Sequence, residues 1–290
     1  MTDPTRTAAH RGLDGLRGLA VAAVLLYHAG FAWARGGYLG VSVFFTLSGF
    51  LITSLLLGEH DRRGTISLSA FWRRRFRRLI PASLAALAGV CVFGATVASP
   101  EQQADLAGDV VAALLGVANW RFVVQDVSYG DLFADPSPVL HFWSLAIEMQ
   151  FYVIFPPLLL LLLAKTGERR GVAAGGVAAL ALGSVAMSFV LGIDDLDRIY
   201  FGTGTRAVEL LVGALLAFGV ARWGRGTGTR ADAVISGAGA LAIGVLGVAC
   251  SVVDQDSTWL YRGGFGLVAV VSAVAVFALA RTSWLGATVG

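Results

Sequence analysis

The chain has 290 residues, 56% of them hydrophobic and only 14% charged, with a net charge of +3. A soluble globular chain is about half apolar and about a quarter charged, so the composition excludes a soluble domain and points to an integral membrane protein. The small net charge argues against a nucleic-acid binder, and the two cysteines, Cys91 and Cys250, supply neither a disulfide framework nor a metal spacing.

In chain order, apolar blocks lie near 16–34, 37–57, 81–98, 143–164, 172–192, 204–221, 233–253 and 264–280, with a weaker one near 105–123. Each firm block has about the length that carries a helix across roughly 30 Å of hydrocarbon. Alternating ten-residue strand patterns are absent, which argues against a barrel. The predicted fold is therefore all-α, a polytopic transmembrane helical bundle of about 8–10 membrane segments.

Lys and Arg concentrate in the connections 58–80, 165–170 and 222–230, whereas 99–141, 193–203 and 254–262 hold most of the Asp and Glu. The positive-inside rule places the first set in the cytoplasm, together with the N-terminus; the plasma (inner) membrane is the expected location. Parity then forbids 105–123 from being a simple crossing. Its Asp105, Asp109, Asn119 and Arg121 suit a segment that re-enters, lies at the interface or packs on protein.

The first block, GLDGLRGLAVAAVLLYHAG, carries Asp14, Arg17 and His28. Arg17 and His28 are eleven residues apart, about 20° past three full turns, so they share a face about 16 Å apart along the axis. Asp14 is i,i+3 to Arg17 and within its reach. A charge at the centre of a membrane helix costs about 2.5–3.5 kcal/mol. Histidine can be neutral, at a lower cost, and can serve as a base. The plainer alternative is a histidine bonded to a neighbouring helix and an arginine reaching out to the interface.

Four further stretches carry candidate polar groups. GGYLGVSVFFTLSGFLIT (36–53) reads as a tightly packed helix holding Ser48. FWRRRFRRLIPA (71–82) places five arginines at the cytoplasmic mouth of the third span, with Arg74 and Arg77, and Arg75 and Arg78, as i,i+3 neighbours. Such a cluster grips phosphates through planar multidentate hydrogen bonds, or marks topology and meets lipid head groups. In LHFWSLAIEMQFYVIFP (140–156), His141, Ser144 and Glu148 fall on one helical face; a carboxylate inside an apolar run is a candidate functional group. In TGTRAVELLVGALLA (203–217), Arg206 and Glu209 are i,i+3 partners, equally suited to structure or chemistry.

Together these five stretches resemble the membrane-bound acyltransferase family 3, bacterial O-acyltransferases and O-acetyltransferases of surface polysaccharides. The family pattern runs approximately DGLRxxAxxxVxxxH, GxxGVxxFFxLSGFLI, RRxxRIxP, HTWSLxxEEQFY and TRxWEL. This chain shows DGLRGLAVAAVLLYH, GYLGVSVFFTLSGFLIT, RRFRRLIP, HFWSLAIEMQFY and TRAVEL in the same order, between about residues 11 and 217. The resemblance implies a membrane O-acyltransferase that moves an acyl group, usually acetyl from acetyl-CoA or another acyl-CoA, to a hydroxyl of a cell-surface carbohydrate. A glycosylated secondary metabolite is the alternative acceptor. No bound cofactor, metal or nucleic acid is implied; the expected partners are acyl-CoA, a carbohydrate or glycoside acceptor and the lipid membrane.

Carried over by motif, Arg17, His28 and Glu148 are the expected catalytic residues. Arg75 and Arg78, with Arg74, are expected to bind acyl-CoA, and Asp14, Ser48, His141, Arg206 and Glu209 to support them. The chain departs from the pattern at Ser42, where the family often has an acidic residue, at Met149 in place of the second Glu of EEQFY, and at Val208 in place of the Trp of TRxWEL. In relatives a similar WLG precedes a final helix. Here RTSWLGATVG closes the sequence, and a single domain over 1–290 without that helix is expected. Two readings of another kind stay open: a transporter coupled to protons through His28 or Glu148, and a non-catalytic homologue.

Overall fold

The computed structural model describes residues 4–125, 137–166, 169–192, 195–223 and 229–285. The helices, in order, are α1 (Pro4–His28), α2 (Gly40–Arg63), α3 (Leu68–Thr96), α4 (Pro100–Leu114), α5 (Ala118–Val124), α6 (Phe142–Lys165), α7 (Arg170–Leu191), α8 (Leu196–Phe201), α9 (Thr203–Trp223), α10 (Thr229–Val252) and α11 (Phe265–Leu285). Two short 3-10 helices, Ala32–Ala34 and Gly37–Leu39, join α1 to α2. No strand occurs among the described residues. Seven helical segments among them, built on α2, α3, α6, α7, α8–α9, α10 and α11, are long and apolar enough to cross a membrane. Helix α1, which carries Asp14, Arg17 and His28, stands outside those seven.

The centre of the bundle is the contact of α2 with α9, and glycine makes it possible. Gly49 of α2 lies against the carbonyl of Leu210, and Gly213 of α9 against the carbonyl of Thr46; a Cβ at either position would collide with backbone. Small residues let membrane helices approach this closely. Helix α11 covers α1, α2, α9 and α10, while α7 packs on α9. Helix α1 turns Leu13, Leu16 and Ala20 into the core and leaves Leu19 and Leu25 exposed.

The segment 105–123 is not a crossing but a broken pair of helices. Ser99 opens α4 with a reciprocal cap, its hydroxyl accepting from the Gln102 amide at 3.3 Å while the Gln102 side chain accepts from the Ser99 amide at 3.1 Å. The chain then turns at Gly116, whose φ of +69° suits glycine, and α5 folds back. Arg121 returns to Asp109 and Asp105, and Gln125 donates to Asp105 at 3.1 Å. The charged groups of this stretch therefore bond one another, while Asn119 donates to the Phe201 carbonyl at 2.9 Å and accepts from Gln150 of α6 at 2.9 Å.

One boundary differs from expectation. Helix α3 begins at Leu68, so the arginine-rich stretch is helix rather than a loop before the third span. Arginine is a good helix former, and the Glu59 carboxylate anchors this start, accepting from the Ser67 amide at 3.3 Å and pairing with Arg63 and Arg74 at 3.2 and 3.6 Å.

Candidate active site

Three helical stripes face one another. Arg17, Val21, Val24 and His28 run along α1; Val41, Phe44, Phe45 and Ser48 along α2; His141, Ser144, Glu148 and Tyr152 along α6 and its N-cap. Each set follows the i, i+3/i+4, i+7 spacing that keeps side chains on one face. Between them lies a cavity of about 280 Å³, lined by Val21, Val24 and Leu25, by Val41, Phe44 and Phe45, and by Ser144, Leu145 and Glu148. His28 and His141 stand at one end of it, one helical turn beyond Val24 and Ser144. Arg17 and Tyr152 stand one turn beyond the other end.

At the histidine end the two imidazoles meet edge to face, with centroids 4.5 Å apart. His28 Nδ1 donates to the Val24 carbonyl at 2.7 Å. A carbonyl can only accept, so the neutral ring keeps its proton on Nδ1 and its basic lone pair on Nε2. The Tyr27 ring also stands edge-on to His28 at 5.0 Å, and its hydroxyl donates to Gln255 at 2.6 Å. Nearby, the Tyr38 hydroxyl donates to the Asp254 carbonyl at 3.2 Å, and Arg35 pairs with the Asp254 carboxylate at 3.4 Å.

His141 is the N-cap of α6, just outside its spanning segment. Burial, and then the nearby His28, hold its imidazole below the ordinary histidine value, which favours the neutral ring.

Glu148 is half-buried on α6 and accepts a hydrogen bond from the Ser48 hydroxyl of α2. The Tyr152 hydroxyl lies 3.3 Å from Ser48 Oγ, extending the network toward the arginine end. There the Arg75 guanidinium lies over the Tyr152 ring at 5.5 Å and the Phe71 ring at 5.9 Å. Pro156 explains how α3 is fastened at this level. It has no N–H to offer the carbonyl four residues back, and the Trp72 indole donates to that Tyr152 carbonyl at 2.8 Å instead. Arg17 holds Asp14 at 2.9 Å, and Arg17 and Arg75 are both within electrostatic reach of Glu148.

The structure therefore brings together Arg17, His28, Ser48, Arg75, His141 and Glu148, and separates others from them. Arg74 turns to Glu59, and Arg78 is exposed one turn beyond Arg75. Arg206 and Glu209 form a buried bidentate pair at 2.8 and 3.2 Å. The guanidinium is boxed by Phe265, Tyr200, Trp143 and Phe45 at 3.9, 5.1, 5.4 and 5.7 Å. Ser42, where relatives often carry an acid, accepts from Arg206 at 3.4 Å. Phe45 is shared between this box and the cavity wall. Tyr152 is the group missed in the sequence; the proline four residues after it, which frees its carbonyl, was the available signal. Among the described residues no cluster of His, Cys, Asp and Glu suits a metal ion.

The family described as Acyltransferase domain matches residues 10–287. The peptidoglycan O-acetyltransferase OatA of Listeria monocytogenes is 40% identical over 268 residues, which cover 91% of this chain and 43% of that protein. The O-acetyltransferase OatA of Staphylococcus aureus is 39% identical over 261 residues, 89% of this chain and 43% of its own. A putative O-acetyltransferase of Staphylococcus aureus is 38% identical over 283 residues, 94% of this chain and 46% of its own. The chain thus spans less than half the length of these curated relatives. No solved structure matches it. The match over nearly the whole chain, with the five motifs lining one bundle, makes the chain a member of the acyltransferase family 3 of helical membrane proteins.

Proposed function

We propose that the chain is the membrane-embedded unit of an O-acetyltransferase that passes an acetyl group from acetyl-CoA to a hydroxyl of cell-wall peptidoglycan. The observation that carries this reading is the cavity walled by Glu148, with arginines beyond one end and paired histidines at the other. The acceptor class rests on the relative from Listeria monocytogenes, named a peptidoglycan O-acetyltransferase.

In this reading the arginine end faces the cytoplasm and the histidine end the outside, as the positive-inside rule favours. Arg75 and Arg78 hold the CoA phosphates at the cytoplasmic mouth. The thioester arm reaches through the cavity toward His28. The Nε2 lone pair of His28 takes the proton of the acceptor hydroxyl; the alkoxide oxygen attacks the thioester carbon; the C–S bond breaks, and the thiolate leaves with the proton returned from His28. The same lone pair serves a second route in which His28 carries the acetyl group itself. Glu148, with Arg17 nearby, orients the reacting groups.

The test is acetyl transfer from labelled acetyl-CoA in membranes expressing this chain, beside His28→Ala. Label in a glycan fraction with wild type and none with the variant supports the reading. Label trapped on His28 selects the acyl-enzyme route. Full transfer by His28→Ala sinks both routes.

A further inference from the structure

We infer that Tyr152 is a positioning residue with two separable duties: its ring seats Arg75, and its hydroxyl, through Ser48, holds Glu148 in place at the cavity wall. This deepens the proposed reading and rests on it, because it concerns how the donor's phosphate grip is tied to the carboxylate on the cavity wall.

Tyr152 is buried, and its ring lies 5.5 Å from the Arg75 guanidinium. An aromatic face attracts a guanidinium more strongly where water is excluded, and it fixes the plane in which the N–H groups fan out. The opposite edge of the same residue carries the hydroxyl, 3.3 Å from Ser48 Oγ, which in turn donates to Glu148. The backbone of Tyr152 is fastened as well, since the Trp72 indole takes up the carbonyl that Pro156 leaves without a helical donor. Trp72 and Arg75 are i,i+3 on α3, so one turn of α3 grips both the backbone and the ring of one residue. A shift of α3 against α6 as phosphates engage Arg75 is thereby felt at Ser48 and Glu148. Neither duty requires Tyr152 to touch the substrate.

Two substitutions separate the duties. Tyr152→Phe keeps the ring and removes the hydroxyl; Tyr152→Leu removes both. In purified protein, binding of CoA is measured by calorimetry, and kcat and KM for acetyl-CoA with a peptidoglycan fragment as acceptor. Tyr152→Phe should bind CoA as wild type does, leave KM for acetyl-CoA unchanged and lower kcat about tenfold, the scale of one hydrogen bond. Tyr152→Leu should also weaken CoA about tenfold, within the range of a partly desolvated cation–π contact. Ser48→Ala, which removes the bond to Glu148 itself, should lower kcat at least as far as Tyr152→Phe, and the double variant Ser48→Ala/Tyr152→Phe should be no worse than Ser48→Ala, because the Tyr152 hydroxyl acts through Ser48. Wild-type kcat in Tyr152→Phe, equal CoA weakening in both Tyr152 variants, or full additivity with Ser48→Ala would overturn the inference. A folded wild type that neither binds CoA nor transfers acetyl overturns the donor reading first, and the inference with it.

Discussion

The imidazole of His28 meets that of His141 edge to face, with centroids 4.5 Å apart and planes at 86°. The two rings come from helices with no sequence proximity, and α1 and α6 each deliver one at the same level. Two imidazolium charges at that separation would repel, so the nearness of His28 disfavours a charge on His141.

This has a consequence for pH. Burial and His28 favour neutral His141 in the folded protein. A histidine held below its ordinary value binds fewer protons folded than unfolded, so stability falls as pH drops below the unfolded value of about 6.5 and goes on falling until the folded group is itself protonated. The thermal midpoint in detergent should therefore decline between about pH 7 and pH 5. His141→Gln, which stays neutral, should show a shallower decline over that range. An unchanged slope in the variant would assign the acid loss to other groups.

Arg206 and Glu209 predict a different phenotype. Their side chains are 1% and 0% exposed, and the guanidinium is boxed by four aromatic rings. Removing one partner leaves the other charged and buried, at a cost of about 3–5 kcal/mol. Arg206→Ala and Glu209→Ala should thus lose folded protein, read as a collapse of the monodisperse peak on size-exclusion chromatography. Normal folding of either variant with selective loss of transfer would move this pair into the chemistry.

Much of this arrangement was legible in the sequence, because helical periodicity is reliable inside long apolar runs. The shared face of Arg17 and His28, and that of His141, Ser144 and Glu148, both line up along the cavity. Charge parity, with Asp105, Asp109 and Arg121, predicted no simple crossing at 105–123, and neither α4 nor α5 is among the described helices long and apolar enough to span; their hairpin was not predicted. Less was legible where side chains choose between helices. The start of α3 at Leu68 was hidden because a run of arginines reads as a loop when only hydropathy is followed. Tyr152 was hidden because its links are to Ser48 and Arg75, each more than seventy residues away in the chain.

The close crossing of α2 and α9 gives a third test. A methyl group at Gly49 would meet the Leu210 carbonyl, and one at Gly213 the Thr46 carbonyl, both rigid backbone. Gly49→Ala and Gly213→Ala should each destabilise by about 1–3 kcal/mol or more, the range for overpacking, lowering the thermal midpoint. Gly18→Ala, where nothing lies within 4 Å of the added carbon, is the control and should be silent. Equal midpoints for all three would mean that α2 and α9 can part without cost.

Arg74 and Arg75 are adjacent in sequence but point to different partners, and substitution should tell them apart. Arg74 pairs at 3.6 Å with Glu59, a carboxylate that keeps Arg63 and the Ser67 amide when Arg74 is lost. Arg74 itself is half exposed, and an ion pair that reaches into solvent contributes about 0–1 kcal/mol. Arg75 instead lies between Phe71 and Tyr152, on the face that leads to Ser48 and Glu148. Arg74→Ala should therefore leave KM for acetyl-CoA within about twofold of wild type, the factor expected for a marginal surface pair. Arg75→Ala should raise it about tenfold or more, the loss expected when a charge-assisted phosphate contact goes. Arg78→Ala, one turn along the same face, should fall between them. Steady-state kinetics on the three variants checks this, and an Arg74→Ala effect as large as that of Arg75→Ala would place the phosphate grip on the Glu59 side of α3.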